Sequence, residues 1–258
     1  MPSDLSQQAI LRQLTTRVIG RNLLYYPVTT STMDIARKAA QEGAIEGTTI
    51  VAEQQTAGRG RLGRTWLNPP GVMAISVILR PELNQLPGLT MIASLATSRS
   101  IEQVTGLKTA IKWPNDILIS HKKVSGILIE NALSGESVSW AVVGIGINVN
   151  FNPEAFPEIA DTATSIFNEL GKEFSLLELL LSLLGEMEQY YFLLQRGDPI
   201  YREWQQRLET LGKIVRVRSG DLVEEGRAES VDENGSLLLR RSDGSVVTIV
   251  AGDVTLRR

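Results

Sequence analysis

Four short stretches of this 258-residue chain bring together residue types suited to an anionic substrate. The first, TAGRGRLGRTW from Thr56 to Trp66, sets Arg59, Arg61 and Arg64 among Gly58, Gly60 and Gly63. Arginine keeps its charge and forks onto carboxylate or phosphate oxygens, at about 1.5–3 kcal/mol for an enclosed charge-assisted bond. Glycine frees the backbone to fold over what has been captured. IKWPNDILI offers a cation, Lys112, then an amide and a carboxylate, Asn115 and Asp116, at a corner forced by Pro114. KKVSGILIE offers Lys123 and then Gly126, a gap in a strand where a ligand or another backbone can approach. VVGIGINVN puts Gly144, Gly146 and Asn148 on one strand face at period two, a slot with an amide beyond it. Each stretch also has a plainer reading: solvated arginines, an Asx turn, a basic hairpin turn, or crowding under a helix. Taken singly, none decides between the two.

Composition narrows the chemistry. The chain has no cysteine, which removes disulfides, thiolate metal sites and cysteine nucleophiles. Its single histidine, His121, sits in the polar SHKK stretch and reads as an exposed turn residue, which argues against a Ser-His-Asp triad or a multi-histidine metal site. Catalysis must then rest on charge and positioning. The Gly-Arg loop is no Walker A loop, because no Gly-Lys-Ser/Thr follows, and it lacks the strand-to-helix context of a dinucleotide fingerprint. A net charge of −3 speaks against general nucleic-acid binding. An RNA-binding arginine-glycine loop would need interleaved aromatics, and the chain is only 5% aromatic. The N-terminus lacks a signal peptide and no apolar run is long enough to span a bilayer, so a soluble, cytoplasmic protein is expected, without membrane contact.

The elements that must position these residues follow from periodicity and punctuation. A first helix is expected over Leu5 to Ile19, begun at Ser3 or Asp4 and ended at Gly20. NLLYYPVT reads as a strand, and STMDIARKAAQEG as a helix capped at Ser31 or Thr32 with Asp34 in its first turn. TTIVAEQ leads as a strand into the Gly-Arg loop, and VMAISVILRP leaves it. A helix over Gly88 to Val104, ended by Gly106, precedes strands LKTAIKW, DILIS, VSGILIEN and VSWAVVGIGINVN, joined by short turns that favour antiparallel hairpins. Phe151 to Ser165 reads as a long functional loop. FSLLELLLSLLGEMEQYYFLLQ reads as a core helix, followed by a shorter one near Tyr201 to Leu208. After Gly212 short strands punctuated by Gly, Asp and Asn suggest a small β-barrel, with a boundary near residue 210.

With the STMD helix start, the order GRGRLGRTW, KWPNDI, KVSGILIE, GIGIN closely resembles the biotin protein ligase family, over nearly the whole chain. The resemblance implies an α+β fold: a mixed, largely antiparallel sheet flanked by helices, like that of class II aminoacyl-tRNA synthetases. It places a catalytic domain at 1–209 and an SH3-like β-barrel at 210–258. It also implies a reaction in which biotin and ATP, with Mg²⁺, give biotinyl-5′-AMP and pyrophosphate. The biotinyl group then passes to a lysine of a biotin carboxyl carrier protein. Lipoate and octanoate ligases share the fold without this Gly-Arg loop. Carried over by motif, Ser31, Thr32 and Gln55 would hold the ureido ring, with Met33 standing where many relatives have a polar residue. Arg59, Gly60 and Arg61 would close on the biotin carboxylate and the phosphate. Lys123 would be the principal catalytic cation, Lys112 would lie near the phosphates, and Asn115 and Asp116 beside the reacting centre. Asp116 is the candidate Mg²⁺ ligand or proton acceptor. Gly126, Gly144, Gly146 and Asn148 would line the biotin tail and adenylate, with Trp66 on the nucleotide. Some members carry an N-terminal winged-helix domain; only about 30 residues precede the STMD helix, so a type that does not bind DNA is expected. Family members often form homodimers. A lid of this kind is expected to be loose when empty and ordered over a reactive anhydride.

Overall fold

The computed structural model describes residues 4–256. Seven strands form one sheet: β1 (Leu23–Thr29), β2 (Thr49–Gln55), β3 (Val72–Leu79), β4 (Ala110–Lys112), β5 (Asp116–Ile119), β6 (Lys122–Ser134) and β7 (Ser137–Asn148). Their order is β1-β2-β3-β7-β6-β5-β4, with β1 and β2 parallel and every other pair antiparallel. Pro27 is tolerated because β1 is an edge strand, where a missing N–H costs no ladder bond.

The two faces of the sheet are dressed differently. Met73, Ile75 and Val77 of β3 and Val143, Ile145 and Ile147 of β7 point into the main core, against α3 (Gly88–Thr105) and α5 (Leu176–Gln195). The alternate residues point the other way, where α2 (Thr32–Gln41) covers Ile50, Ile78 and Val142 through Met33, Ala36 and Ala40. Helix α2 covers only part of that face. The rest of the face is floored by small residues.

The first helix is shorter than expected. α1 runs Gln7–Gln13, with Ser6 Oγ accepting from Ala9 N as its cap. A start at Ser3 lies outside the described residues, and Asp4 instead accepts from Ser175 Oγ and Leu177 N at the start of α5. Helix continuation to Ile19 is overridden by a tertiary acceptor: the buried Glu188 carboxylate takes the N–H groups of Arg17, Val18 and Ile19 at 2.6–3.0 Å. A short helix, α4 (Ile166–Leu170), capped by Ser165 and closed by Gly171, follows the long loop.

Strands β8 (Ile214–Ser219), β9 (Leu222–Val231), β10 (Leu237–Arg240), β11 (Val246–Ile249) and β12 (Asp253–Leu256) form a second, antiparallel sheet in the order β11-β10-β9-β8-β12. Its inward residues Val215, Val217, Ala228, Leu237 and Leu239 join the same apolar core as α3 and α5. Trp113 pins the two sheets together. Its backbone N–H donates to Thr210 Oγ1 at 2.9 Å and its indole N–H to the Gly235 carbonyl at 2.9 Å. α6 (Ile200–Gln206) leads into this junction.

Candidate functional site

Register assembles the floor of the site. Lys112 stands opposite Asp116, Asp116 opposite Gly126, Gly126 opposite Gly146, and Gly146 opposite Ala74. Directly opposed residues share a face, so this is one row across five strands: two charged groups, then three positions with little or no side chain. The next row on that face carries Leu128, Gly144 and Ser76. A cavity of about 750 Å³, counting its open mouth, lies over these rows.

Its roof is the Gly-Arg loop, which folds as a small hairpin. Gly60 N–H donates to the Arg64 carbonyl at 2.7 Å and Trp66 N–H to the Gly58 carbonyl at 3.0 Å, with Arg59 bridged to Thr65. The tip, Arg61–Gly63, turns through left-handed Leu62 (φ 55°) and Gly63 (φ 73°). Trp66 folds down onto the floor. A Cβ on Gly146 would stand 2.5 Å from its Cε2, and one on Gly126 3.0 Å from its Cζ3. A Cβ on Gly144 would run into Met33 Sδ instead. The missing side chains of GIG therefore admit an indole and a thioether.

The charged groups converge at one end. Lys123 Nζ lies 2.6 Å from Asp116 Oδ1 and 5.3 Å from the centre of the Trp66 ring. The long loop fastens the backbone of Lys123: its N–H donates to the Thr162 carbonyl at 2.8 Å, and its carbonyl accepts from Thr164 N–H at 2.9 Å. Asn115 is clamped to β6, its Nδ2 donating to the Ile127 carbonyl at 2.6 Å. Its Oδ1 accepts from Arg61 Nη1 at 2.7 Å. Arg61 also donates to the Gly252 carbonyl at 3.3 Å and lies 4.0 Å from Asp253, while Arg64 is ion-paired to Asp253. Burial lowers the pKa of Arg61, and the charges of Asp253 and Asp116 oppose that shift.

At the α2 end the polar groups form a chain. Ser76 Oγ donates to Thr32 Oγ1 at 2.9 Å, Thr32 N–H and Oγ1 donate to Gln55 Oε1 at 2.8 and 3.1 Å, and Gln55 Nε2 donates to Asn68 Oδ1 at 3.0 Å. This fixes the orientation of the Gln55 amide. Ser31 Oγ and Trp66 Nε1 are buried without a partner, a costly state that a ligand's polar groups would relieve.

Thr32, Met33, Gln55, Arg59, Gly60, Arg61, Trp66, Asn115, Asp116, Lys123, Gly126, Gly144 and Gly146 thus border one cavity. Three other expected residues do not line it. Ser31 adjoins it, Lys112 stands beyond Asp116 in the floor row, and Asn148 turns to the Thr164 and Lys123 carbonyls at 2.9 and 3.4 Å. His121 is 80% exposed in the β5–β6 turn, with Glu209 2.9 Å away. Arg64 and Asp253 also line the cavity, and Asn68, Ser76, Asp34 and Glu130, for which the sequence suggested no role in the site, bond to residues that line it. Ser76 is the lone polar residue of VMAISVIL, a local signal for a polar role, whereas Asp253 has none.

For a divalent metal, no group of three or more His, Asp or Glu side chains converges among the described residues. Mg²⁺ that arrives with a nucleotide needs only one or two carboxylates besides phosphate and water, and Asp116 in the cavity fits that demand.

Comparison with known proteins agrees with this geometry. Residues 25–148 match the biotin/lipoate A/B protein ligase family, and residues 210–257 the biotin protein ligase C-terminal domain. The bifunctional ligase/repressor BirA of Bacillus subtilis is 38% identical over 99% of this chain and 80% of its own length. The biotin–[acetyl-CoA-carboxylase] ligase of Paracoccus denitrificans is 35% identical over 77% of this chain and 86% of its own. The biotin protein ligase of Aquifex aeolicus, solved in complex with biotin and ATP, superposes with a TM-score of 0.79 at 31% identity, covering 92% of this chain and 99% of that one. With nearly its full length aligned to such a relative, the chain belongs to the biotin protein ligase family.

Proposed function

We propose that this protein is a biotin–protein ligase that activates biotin with ATP and transfers it to a lysine of a biotin carboxyl carrier protein. The observation that carries the reading is the cavity itself. A slot floored by Gly126, Gly146 and Ala74 runs from a polar chain at Thr32 and Gln55 to a cluster of Lys123, Asp116, Asn115 and Arg61. That layout suits a molecule with a polar head, an apolar tail and a terminal carboxylate. The relatives' biotin and ATP support the same assignment.

In the first step the biotin carboxylate attacks the α-phosphorus of ATP, forming the mixed anhydride and expelling pyrophosphate. Two anions must meet, and negative charge spreads over the phosphoryl oxygens, so preorganised cations lower the barrier without any protein nucleophile. Lys123, held by Thr162, Thr164 and the Trp66 face, is placed to bridge carboxylate and phosphate. Arg61 serves the phosphate from the lid, and Lys112, at the end of the floor row, serves the departing phosphates. Mg²⁺ bound with ATP through Asp116 would neutralise phosphate charge. In the second step the ε-amine of the acceptor lysine attacks the anhydride carbonyl, an amide forms, AMP leaves, and Asp116, where it is not holding Mg²⁺, takes the amine's proton. Ser31 Oγ, free and buried beside Thr32, serves the ureido ring with Thr32 and Gln55. Gly144 and Trp66 border the adenylate, and Asn148 supports it through the Lys123 backbone. Within this reading residues 1–209 are the catalytic domain and 210–258 an SH3-like domain that lends Asp253 to the lid.

The test is ATP–pyrophosphate exchange with biotin or octanoate, followed by transfer to a carrier domain. Biotin-dependent exchange and transfer are expected; exchange that depends on octanoate alone would overturn the reading in favour of a lipoate- or octanoate-type ligase.

A further inference from the structure

We propose that Arg59 is the fixed root of the lid rather than one of its anion-binding groups, and that Asp34 and Glu130 are positioning residues acting through it. The inference rests on the ligase reading above. Arg59 Nη2 lies 2.9 Å from Asp34 Oδ1 and Nη1 2.9 Å from Glu130 Oε1, so both ends of its fork are taken and only its buried Nε–H is without a partner. Arg37 closes the ring, 2.8 Å from Asp34 and 3.9 Å from Glu130. Two arginines and two carboxylates therefore balance one another across three elements: the lid stem, the first turns of α2, and β6.

Arg61, two residues on, has a different set of partners: an amide oxygen, a carbonyl oxygen, and a carboxylate only at 4.0 Å. Neutral acceptors can be exchanged for a phosphate at a net gain in charge-assisted bonding. Arg59 cannot be exchanged so easily. Turning it to a ligand would leave Asp34 and Glu130 to a single arginine, and the Glu130 side chain is only 23% exposed. Glu130 sits on the site face of β6, two residues beyond Leu128 and four beyond Gly126, so the ring stands beside the floor. The lid hairpin thus has a stem fastened at Arg59 and a tip in which Arg61 rests on neutral acceptors that a ligand can replace, while the more exposed Arg64 is paired with Asp253. Closure is a movement of the tip about a fixed stem.

The sign of one substitution separates the two roles. Glu130→Gln removes a carboxylate and keeps the shape. If Arg59 touched the substrate anion, the variant would free its charge, and KM for ATP or biotin would fall. For a root, the stem loosens. KM for both substrates then rises about tenfold with a smaller change in kcat, the signature of lost positioning rather than lost chemistry. Amide exchange across residues 58–66 also speeds up, with and without ligands. Asp34→Asn should act in the same direction, and it guards against a folding defect peculiar to β6. Arg59→Lys keeps the charge, but one ammonium cannot fork onto two carboxylates, so it should behave like Arg59→Gln. The proposal is overturned by a lowered KM in Glu130→Gln, by Arg59→Lys retaining wild-type KM where Arg59→Gln does not, or by unchanged exchange over 58–66 in folded Glu130→Gln. Lack of biotin-dependent exchange in the wild type would overturn the ligase reading instead, while the ligand-free amide exchange would still judge the root.

Discussion

Replacing Gly146 with alanine tests whether the glycine slot serves the lid. The added Cβ would meet three atoms of one rigid plate: Trp66 Cε2 at 2.5 Å, Nε1 at 2.6 Å and Cζ2 at 2.7 Å. Ordinary contact needs about 3.5–4 Å, so the whole indole must lift by roughly 1 Å, and no rotation of a terminal group can spare it. The floor cannot yield either, since Gly146 is paired with both Gly126 and Ala74 in mid-sheet. Overpacking of this kind costs about 1–3 kcal/mol. Trp66 is half-buried, and its indole can swing up about its own side-chain bonds while the stem stays fixed, so the empty protein relieves the clash by letting the ring rise. The cost then falls on the closed complex, and about 1–3 kcal/mol becomes roughly a 5- to 150-fold weaker hold on substrates. Gly144→Ala is the comparison. Its Cβ meets the Sδ and Cγ of Met33, a side chain only 4% exposed and packed with Ile78 and Val142, so its cost falls on the fold itself and should lower the ligand-free Tm. Initial rates of biotin-dependent pyrophosphate exchange give KM for both substrates, and thermal unfolding with and without ligands gives the fold's share. Gly146→Ala with unchanged KM and an unchanged ligand-induced rise in Tm would refute the argument. So would Gly146→Ala that lowers the ligand-free Tm as much as Gly144→Ala does.

Three other outcomes follow from the same geometry. Lys123→Ala removes the cation that Asp116 and Trp66 hold at the centre of the cavity; adenylation should fall by about 10²–10³-fold with little change in Tm, and undiminished single-turnover formation of the adenylate would remove Lys123 from the chemistry. Glu188→Ala leaves the N–H groups of Arg17, Val18 and Ile19 without their acceptor, which should cost about 3–5 kcal/mol in denaturant unfolding; a loss below about 1 kcal/mol would show that the segment finds other partners. Burial raises the Glu209 pKa, but bonds from Lys213 and His121 outweigh it and leave the value below the ordinary 4.5. A depressed carboxylate pKa stabilises the fold above its unfolded value and loses that contribution as pH falls through the folded one. The advantage of wild type over Glu209→Gln should therefore be full near neutrality and vanish in acid below the ordinary value, and a gap independent of pH would contradict it.

The parts of this molecule that the sequence announces are local. Ser31 stands at the N-cap position of α2, though its side chain makes no cap bond, Gly106 closes α3 in the left-handed conformation, and the apolar runs of VMAISVIL and VSWAVVGIGIN give the buried strands β3 and β7. The first helix fails for the opposite reason. Its C-terminal half is claimed by a carboxylate 169–171 residues away, which no helical periodicity records. The site follows the same rule. Period two in GIGIN says that Gly144 and Gly146 share a face, but not which side chain fills the space above them, and Trp66 and Met33 answer from two other elements.

Charge shows this most clearly. The three arginines of the lid look equivalent in GRGRLGR, each a cation between glycines, yet their partners divide them. Arg59 meets carboxylates 25 and 71 positions distant, Arg61 an amide 54 away, and Arg64 a carboxylate 189 away in the second sheet. A guanidinium with both terminal nitrogens on carboxylates has only its Nε–H left to offer a phosphate, whereas one resting on an amide and a carbonyl can turn its whole fork. Residue type therefore identifies what a loop can bind, and the distant partners decide which of its members is free to bind it. In this lid that leaves Arg61, over Asn115 and within reach of Lys123 and Asp116, as the arginine whose present contacts a substrate anion can best replace.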